Sequence, residues 1–245
     1  MMESKHLFIG IDDTDNPESK GTGYFSRCLG HQLEKEGLGK ILGISRHQLY
    51  RSISIPFTSR NNATCIELKS CSTTDALLDF IRKFIAENAT PGSETGFCIA
   101  SAEHFPKKAM DFGLKAQKKV VTSDQALCLA SENNFHIEGI TPGAHGIIGA
   151  LAAIGLRATG NDGTLIWVKG YEINDMKGIF HAGEIYSQTR VDCIKTIDGF
   201  KIPVNATIEY SENIHPVIKE NFVTLYVVEH PQKDQCDWKV VTGCN

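Results

Sequence analysis

The sequence predicts a mixed α/β chain, α+β in character: a body of mixed sheet with packed helices, followed by a β-rich C-terminal region. Three observations carry this. Leu7–Ile11 is an apolar run that ends abruptly in charge, as a buried strand does. Asp75–Asn88 places Leu77, Leu78, Ile81, Phe84 and Ile85 on one stripe at helical spacing. After Gly163 the helical stripes give way to short strand-like runs separated by turns. The division falls at 1–160 and 161–245. The second part reads as a small separate domain or as an extension of the same sheet.

The elements follow in order. After Leu7–Ile11 comes a loop, 12–23, with Asn16-Pro17 and two glycines. Tyr24–Glu36 reads as a helix with Phe25, Cys28, Leu29 and Leu33 on one face, stopped by Gly37 and Gly39. Ile41–Ser45 and Ala63–Leu68 read as strands, with a polar stretch around Ile55-Pro56 between them. Asp75 is placed to cap the helix it opens. Phe97–Ala100 is a short strand. Helices are expected over Lys107–Lys119 and Ser123–Asn133. Gly139–Gly146 is a glycine-rich loop, and Gly146–Leu156 is a helix of small residues that must pack closely on something. Leu165–Val168, Ala206–Tyr210 and Phe222–Val228 are strand-like, and only Pro216–Asn221 reads as helical in this part.

Composition narrows the function classes. Of 245 residues, 41% are hydrophobic and 22% charged, as in a globular protein that folds without disulfide or metal. The net charge of −4 argues against a dedicated nucleic-acid binder, which carries a basic face. The longest apolar stretch, Gly146–Leu156, is about half of what a bilayer span needs. No signal peptide is read at the N-terminus, so the expected location is cytoplasmic. The eight cysteines form no C-x-x-C pair and the nine histidines no metal-binding spacing, which speaks against structural zinc. Most of the cysteines are expected to be small buried hydrophobes.

Chemistry concentrates in three places. In Gly10-Ile11-Asp12-Asp13-Thr14-Asp15, three carboxylates crowd behind an apolar strand. Such charges repel unless a cation joins them, and hard oxygens suit Mg²⁺ together with a phosphate. The plainer reading is a solvated acidic turn. Next, Lys20-Gly21-Thr22-Gly23 precedes a helix, where backbone N–H groups and a lysine can cradle a phosphate; alternatively, Thr22 is simply the helix cap. Third, Thr141–Gly149 enters a helix through Gly143, Gly146 and Gly149, a second anion cradle or a tight packing seam. His145 in that loop can donate to a phosphate. Arg60, in Arg60-Asn61-Asn62, can pair with one bidentately. Lys107, Lys108, Lys115, Lys118 and Lys119 form a basic stretch, read as a solvated helix face.

These motifs, in this order, resemble the kinase-like N-terminal domain of the archaeal 2-agmatinylcytidine synthetases, which modify the anticodon of an isoleucine tRNA. The segments are Gly10–Asp15 with Thr22, then Ile55-Pro56-Phe57-Thr58-Ser59-Arg60-Asn61-Asn62, then Gly146-Ile147-Ile148-Gly149-Ala150-Leu151-Ala152-Ala153. The resemblance covers about residues 7–160. It implies ATP and Mg²⁺ as cofactors and a phosphotransferase or nucleotide-hydrolase activity in tRNA modification. It implies that Asp12, Asp13 and Asp15 are the family's aspartates and Thr22 the first-loop threonine that the family phosphorylates; taken with the residue readings above, the three aspartates are metal ligands and catalytic groups, and Thr22 and Arg60 are catalytic. Lys20, Gly21, Gly23, Asn62, Gly143, Gly146 and Gly149 would bind the nucleotide. The sequence departs from the family in two loops: Gly21-Thr22-Gly23 replaces Cys-Thr-Thr, and Asn61 stands where glycine is usual. The family continues into a ferredoxin-like domain, an OB-fold and a zinc ribbon, whose signatures are not read here. The alternative is therefore a non-catalytic nucleotide-binding or RNA-associated module that reaches tRNA through a partner protein. No membrane partner is expected.

Overall fold

The computed structural model describes residues 4–55, 60–168, 177–210, 215–232 and 235–243. Pro56–Ser59 of the second motif lie outside them. The chain divides into two compact units, 1–159 and 160–245.

The first unit is a five-stranded antiparallel sheet with helices on both faces. Its strands are β1 (Lys5–Asp12), β2 (Lys40–Gln48), β3 (Asn62–Ser70), β4 (Gly96–Ser101) and β5 (His136–Gly139), in spatial order β5-β4-β1-β3-β2. The helices are α1 (Thr22–Lys35), α2 (Thr74–Asn88), α3 (Lys107–Ala116), α4 (Ser123–Glu132) and α5 (Gly146–Ala158). Alternation along β1 sorts the two faces. Gly10 and Asp12 turn toward α5, and Phe8 joins the cluster of buried residues around it. On the other side Ser26 of α1 meets Thr64 of β3, hydroxyl to hydroxyl at 2.6 Å.

Helix α5 sits on the sheet with almost no space between backbones. A Cβ on Gly10 would lie 2.0 Å from the Ala150 carbonyl oxygen, and one on Gly96 would lie 2.3 Å from the Ile147 nitrogen. The small-residue stripe is thus a packing seam, and it brings the start of α5 to the end of β1. The other face of α5 receives α3, where Gly155 meets the Ala109 backbone just as closely.

The second unit is β-rich. It contains β6 (Thr164–Val168), β7 (Gly178–His181), β8 (Cys193–Thr196), β9 (Thr207–Tyr210), β10 (Val217–Lys219), β11 (Phe222–Glu229), β12 (Trp238–Val241) and the short helix α6 (Ala182–Gln188). The order is β6-β10-β11-β12-β9-β7, with β8 parallel to β11 and β9 parallel to β12. Leu165, Ile194, Ile208, Leu225, Val227 and Val240 form its core.

Several expectations are corrected. Pro216–Asn221 is not helical. Val217–Lys219 is a strand, joined to β11 by a two-residue turn in which Glu220 and Asn221 both adopt left-handed φ, 54° and 64°. Asn-Gly would have announced such a turn; Glu-Asn does not. Helix α2 is capped by Thr73, which accepts from the Ala76 N–H, and Asp75 sits inside the first turn. The helix expected over Lys107–Lys119 ends at Ala116. Of the seven described cysteines, only Cys65, Cys98 and Cys236 are buried. Cys128 is exposed because α4 buries only Ala126 and Ala130.

Candidate functional site

The first unit holds a cleft of about 690 Å³, a volume in the range of small-ligand sites. It lies where β1 ends and α5 begins. Asp12, Asp13, Asp15, Arg60, Asn62, Gly146 and Gly149 all line it. Sequence-distant segments thus bring seven of the twelve expected residues to one place.

The acidic end is tightly built. Gly149 has no room for a side chain because the Asp12 carboxylate occupies that space; a Cβ there would fall 1.8 Å from Asp12 Oδ2. Asp13 takes a left-handed φ of 56°, which aspartate tolerates better than most residues. Its carbonyl accepts from Thr95 Oγ1 at 2.8 Å. Burial, reinforced by the charges of Asp13 and Asp15, pushes the Asp12 carboxyl well above the usual carboxylate range, against a hydrogen bond from the Asp13 N–H. Burial also raises Asp13, with Glu94 and Asp15 adding to it and the Glu94 N–H and His145 opposing it. Among the described residues neither carboxylate is paired with a lysine or arginine.

The donor set of Asp12 and Asp13 is hard oxygen, which fits Mg²⁺. Among the described residues, however, no three His, Cys, Asp or Glu side chains are grouped closely enough to hold an ion by themselves. Asp15 is engaged elsewhere: its Oδ1 accepts from Thr22 Oγ1 at 2.7 Å. Two carboxylates completed by phosphate oxygens and water are an ordinary Mg²⁺ environment.

Thr22 is neither the helix cap nor open to the cleft. Gly21 is the cap position, with φ 84° and no side chain to bond. Thr22 begins the helix, is 6% exposed, and also accepts from Thr14 Oγ1 at 3.2 Å. Lys20 and Gly21 line a separate small pocket, where the Lys20 ammonium sits 4.5 Å over the Tyr24 ring. Asp15 is shared by the two pockets. Gly23 lines neither of them, and Gly143 lies against Glu94 instead.

Two cleft residues were illegible or only half legible in the sequence. Glu94 is a single carboxylate between Ser93 and Thr95, with no periodicity around it. It pairs with Nδ1 of His145 at the mouth of the cleft. The pair is set by backbone ties: Thr141 Oγ1 donates to the Ser93 carbonyl and accepts from the Thr95 N–H, each at 2.6 Å, and the Gly146 N–H donates to the Glu94 carbonyl at 2.9 Å. Of the basic stretch, Lys107 and Lys108 are ion-paired with Asp111 and Glu132, and Lys119 lines the cleft. No helix among the described residues is long and apolar enough to cross a membrane.

No family model matches the chain. An uncharacterized protein of Methanocaldococcus jannaschii is 35% identical over 156 residues, which cover 61% of this chain and 49% of that one. The isoleucine-tRNA 2-agmatinylcytidine synthetase TiaS of Archaeoglobus fulgidus is 30% identical over 155 residues, 61% of this chain and 35% of its own. Among solved structures, a complex of TiaS with its isoleucine tRNA and ATP matches with a TM-score of 0.54 at 28% identity, over 62% of this chain and 36% of that one. A complex of TiaS with the same tRNA, AMPCPP and agmatine matches 75% of this chain and 44% of that one, with a TM-score of 0.55 at 23% identity, a likeness of fold. The chain spans about a third to a half of the length of the curated relatives it matches. The resemblance carried by the three motifs therefore holds: about the N-terminal three fifths of this chain is homologous to the isoleucine-tRNA 2-agmatinylcytidine synthetases.

Proposed function

We propose that the first unit binds ATP with Mg²⁺ in this cleft and acts on its phosphates as a phosphotransferase or nucleotide hydrolase serving tRNA modification. The observation that supports this most is the convergence of Asp12, Asp13, Arg60, Asn62, Gly146 and Gly149 on one cleft. They lie in the part of the chain that is similar to proteins solved with tRNA and ATP.

In this reading Asp12 and Asp13 would hold the cation, which when bound would supply positive charge against the phosphates. Arg60 donates to a phosphate oxygen and offsets the charge that grows as a phosphate bond breaks. Asn62 orients the nucleotide, and the positive end of the α5 dipole favours negative charge in the cleft. Lys119 adds a positive charge at the rim. For Thr22 to accept a phosphoryl group, its hydroxyl must leave Asp15 and come to the cleft.

The test is turnover of ATP by the full chain with Mg²⁺, with and without tRNA, and identification of the nucleotide product. Asp13→Asn is expected to abolish turnover and leave the fold intact. Full activity in that variant refutes the reading.

A second reading is favoured by the engagement of Thr22 with Asp15 and of Lys20 with Tyr24. Here the unit binds ATP without consuming it and reaches tRNA through a partner protein. ATP binding without ATP loss, under every condition with tRNA, is its signature.

A further inference from the structure

Arg46 carries a charge that the fold does not answer. It stands half-buried on β2, opposite Thr64 of β3. The Thr64 hydroxyl is 2.6 Å from that of Ser26, the residue before Arg27 on α1, so Arg46 and Arg27 belong to the same face of the sheet. Two residues along, Gln48 is opposite Asn62, and Asn62 and Arg60 line the cleft. Arg46 thus stands one register step behind the cleft wall. Among the described residues neither the Arg46 nor the Arg60 guanidinium has a hydrogen bond or a carboxylate partner. Burial, and then the charges of Arg60 and Arg27, hold the Arg46 guanidinium below its usual value. A guanidinium does not escape such a position by losing its proton. The charge therefore remains, half-buried beside like charges, and an anion is what would relieve it.

We propose that Arg46 and Arg60 together form a phosphate-binding subsite, with Arg46 as a ligand-binding residue that no sequence motif marks. The forked guanidinium geometry suits phosphate oxygens taken two at a time. The phosphate comes either from the nucleotide or from the backbone of an RNA. The inference rests on reading the cleft as a phosphate site, and the experiment separates the two claims.

The full chain, as wild type and as Arg46→Gln, Arg46→Lys and Arg60→Gln, is titrated with inorganic tripolyphosphate and with ATP. Binding of tRNA is measured over a series of salt concentrations. If the nucleotide supplies the phosphate, both Gln variants weaken tripolyphosphate and ATP at least about tenfold and leave the RNA salt slope unchanged. If RNA supplies it, Arg46→Gln binds tripolyphosphate and ATP as wild type does, and its slope of log affinity against log salt falls by about one. Arg46→Lys keeps the charge without the fork and falls between wild type and Arg46→Gln. The unfolding temperature of Arg46→Gln is no lower than that of wild type, since the variant relieves repulsion; a structural role would lower it. If neither phosphate binding nor the RNA slope moves in Arg46→Gln, the subsite is refuted, whatever Arg60→Gln does. Arg46-dependent binding of tripolyphosphate in a wild-type chain that ignores ATP would uphold the subsite and reject the ATP reading.

Discussion

Gly149→Ala tests whether the cleft depends on where α5 holds Asp12. The new methyl would lie 1.8 Å from Oδ2, 2.5 Å from Cγ and 2.9 Å from Cβ of Asp12. Ordinary contact requires the carboxylate to retreat by about 1.5 Å. Alanine gains about 1 kcal/mol over glycine in helix propensity. Overpacking of this kind costs about 1–3 kcal/mol. The net expectation is a loss of about 0–2 kcal/mol, a modest drop in the urea midpoint with unchanged slope. The effect on function is much larger. A displacement of about 1 Å at a reacting centre costs on the order of 100-fold in rate, so Mg²⁺-dependent turnover of ATP should fall that far while the fold persists. A double-mutant cycle makes the argument specific. Asp12→Ala removes the carboxylate but keeps the 2.9 Å contact to Cβ. In that background the stability cost of Gly149→Ala should shrink by about 1 kcal/mol. Additive stabilities, or wild-type turnover in Gly149→Ala, would refute the claim that this glycine exists to seat Asp12.

Three further outcomes are expected. Arg157→Met takes the 2.7 Å guanidinium bond from Glu67, which is buried at 4% exposure and keeps its 2.8 Å contact with His6 Nε2, so it should cost about 1.5–3 kcal/mol in chemical unfolding, and a second change, Glu67→Leu, should recover part of that. Thr73→Ala removes the cap of α2 and should cost about 1 kcal/mol in the same assay, with no effect on nucleotide binding. The third concerns pH. Folding raises the Asp12 and Asp13 carboxyls, so their contribution to stability is fully present below the ordinary carboxylate range and is lost as pH rises through the raised values. In chelator Asp12→Asn should therefore be more stable than wild type at neutral pH and lose this advantage in acid; an advantage that grew in acid would reverse the sign and refute the burial argument.

The first unit was legible because its elements carry strong local patterns. The apolar run of β1, the stripe of α2 and the small residues of α5 each have a single good structural use, and the structure gives them that use. The second unit was less legible. Helix α6 is seven residues long and buries only Ala182 and Ile185, too little to make a stripe. Even in the first unit, β5 is a four-residue edge strand with a histidine and a glutamate in it, so no apolar run marks it. The site divides the same way. Asp12, Asp13 and Asp15 are adjacent in sequence and announce themselves. Glu94 is an isolated residue that a loop crossing brings to the cleft, and Arg46 one that strand register brings close behind its wall; one sequence holds no record of either. Lys20 has a contact that adjacency to a glycine-rich turn does not reveal: its neighbour four residues on, Tyr24, offers the ammonium an aromatic face, and Lys20 lines the second, smaller pocket.

The cleft is costly in several ways at once. Among the described residues, two carboxylates there have no lysine or arginine partner, Asp13 holds a left-handed backbone, and just behind the wall the half-buried Arg46 guanidinium has no carboxylate partner. Local rules broken together in one place, within a unit that otherwise obeys them, are what a binding site looks like before its ligand arrives. The arrangement also constrains that ligand. If a lone cation were the target, free guanidiniums nearby would oppose it. If a lone anion were the target, Asp12 and Asp13 would oppose it. Glu94 and His145 pair at the mouth, but Asp12 and Asp13 do not pair with Arg60 or Lys119, although all of them line the cleft. A cation bound to a phosphate answers both halves simultaneously, and its binding should be cooperative: Mg²⁺ and a polyphosphate should each tighten the other by the same factor. Titration of Mg²⁺ with and without tripolyphosphate, and the reverse, measures that factor. Equal independent affinities would mean that the two halves serve different ligands.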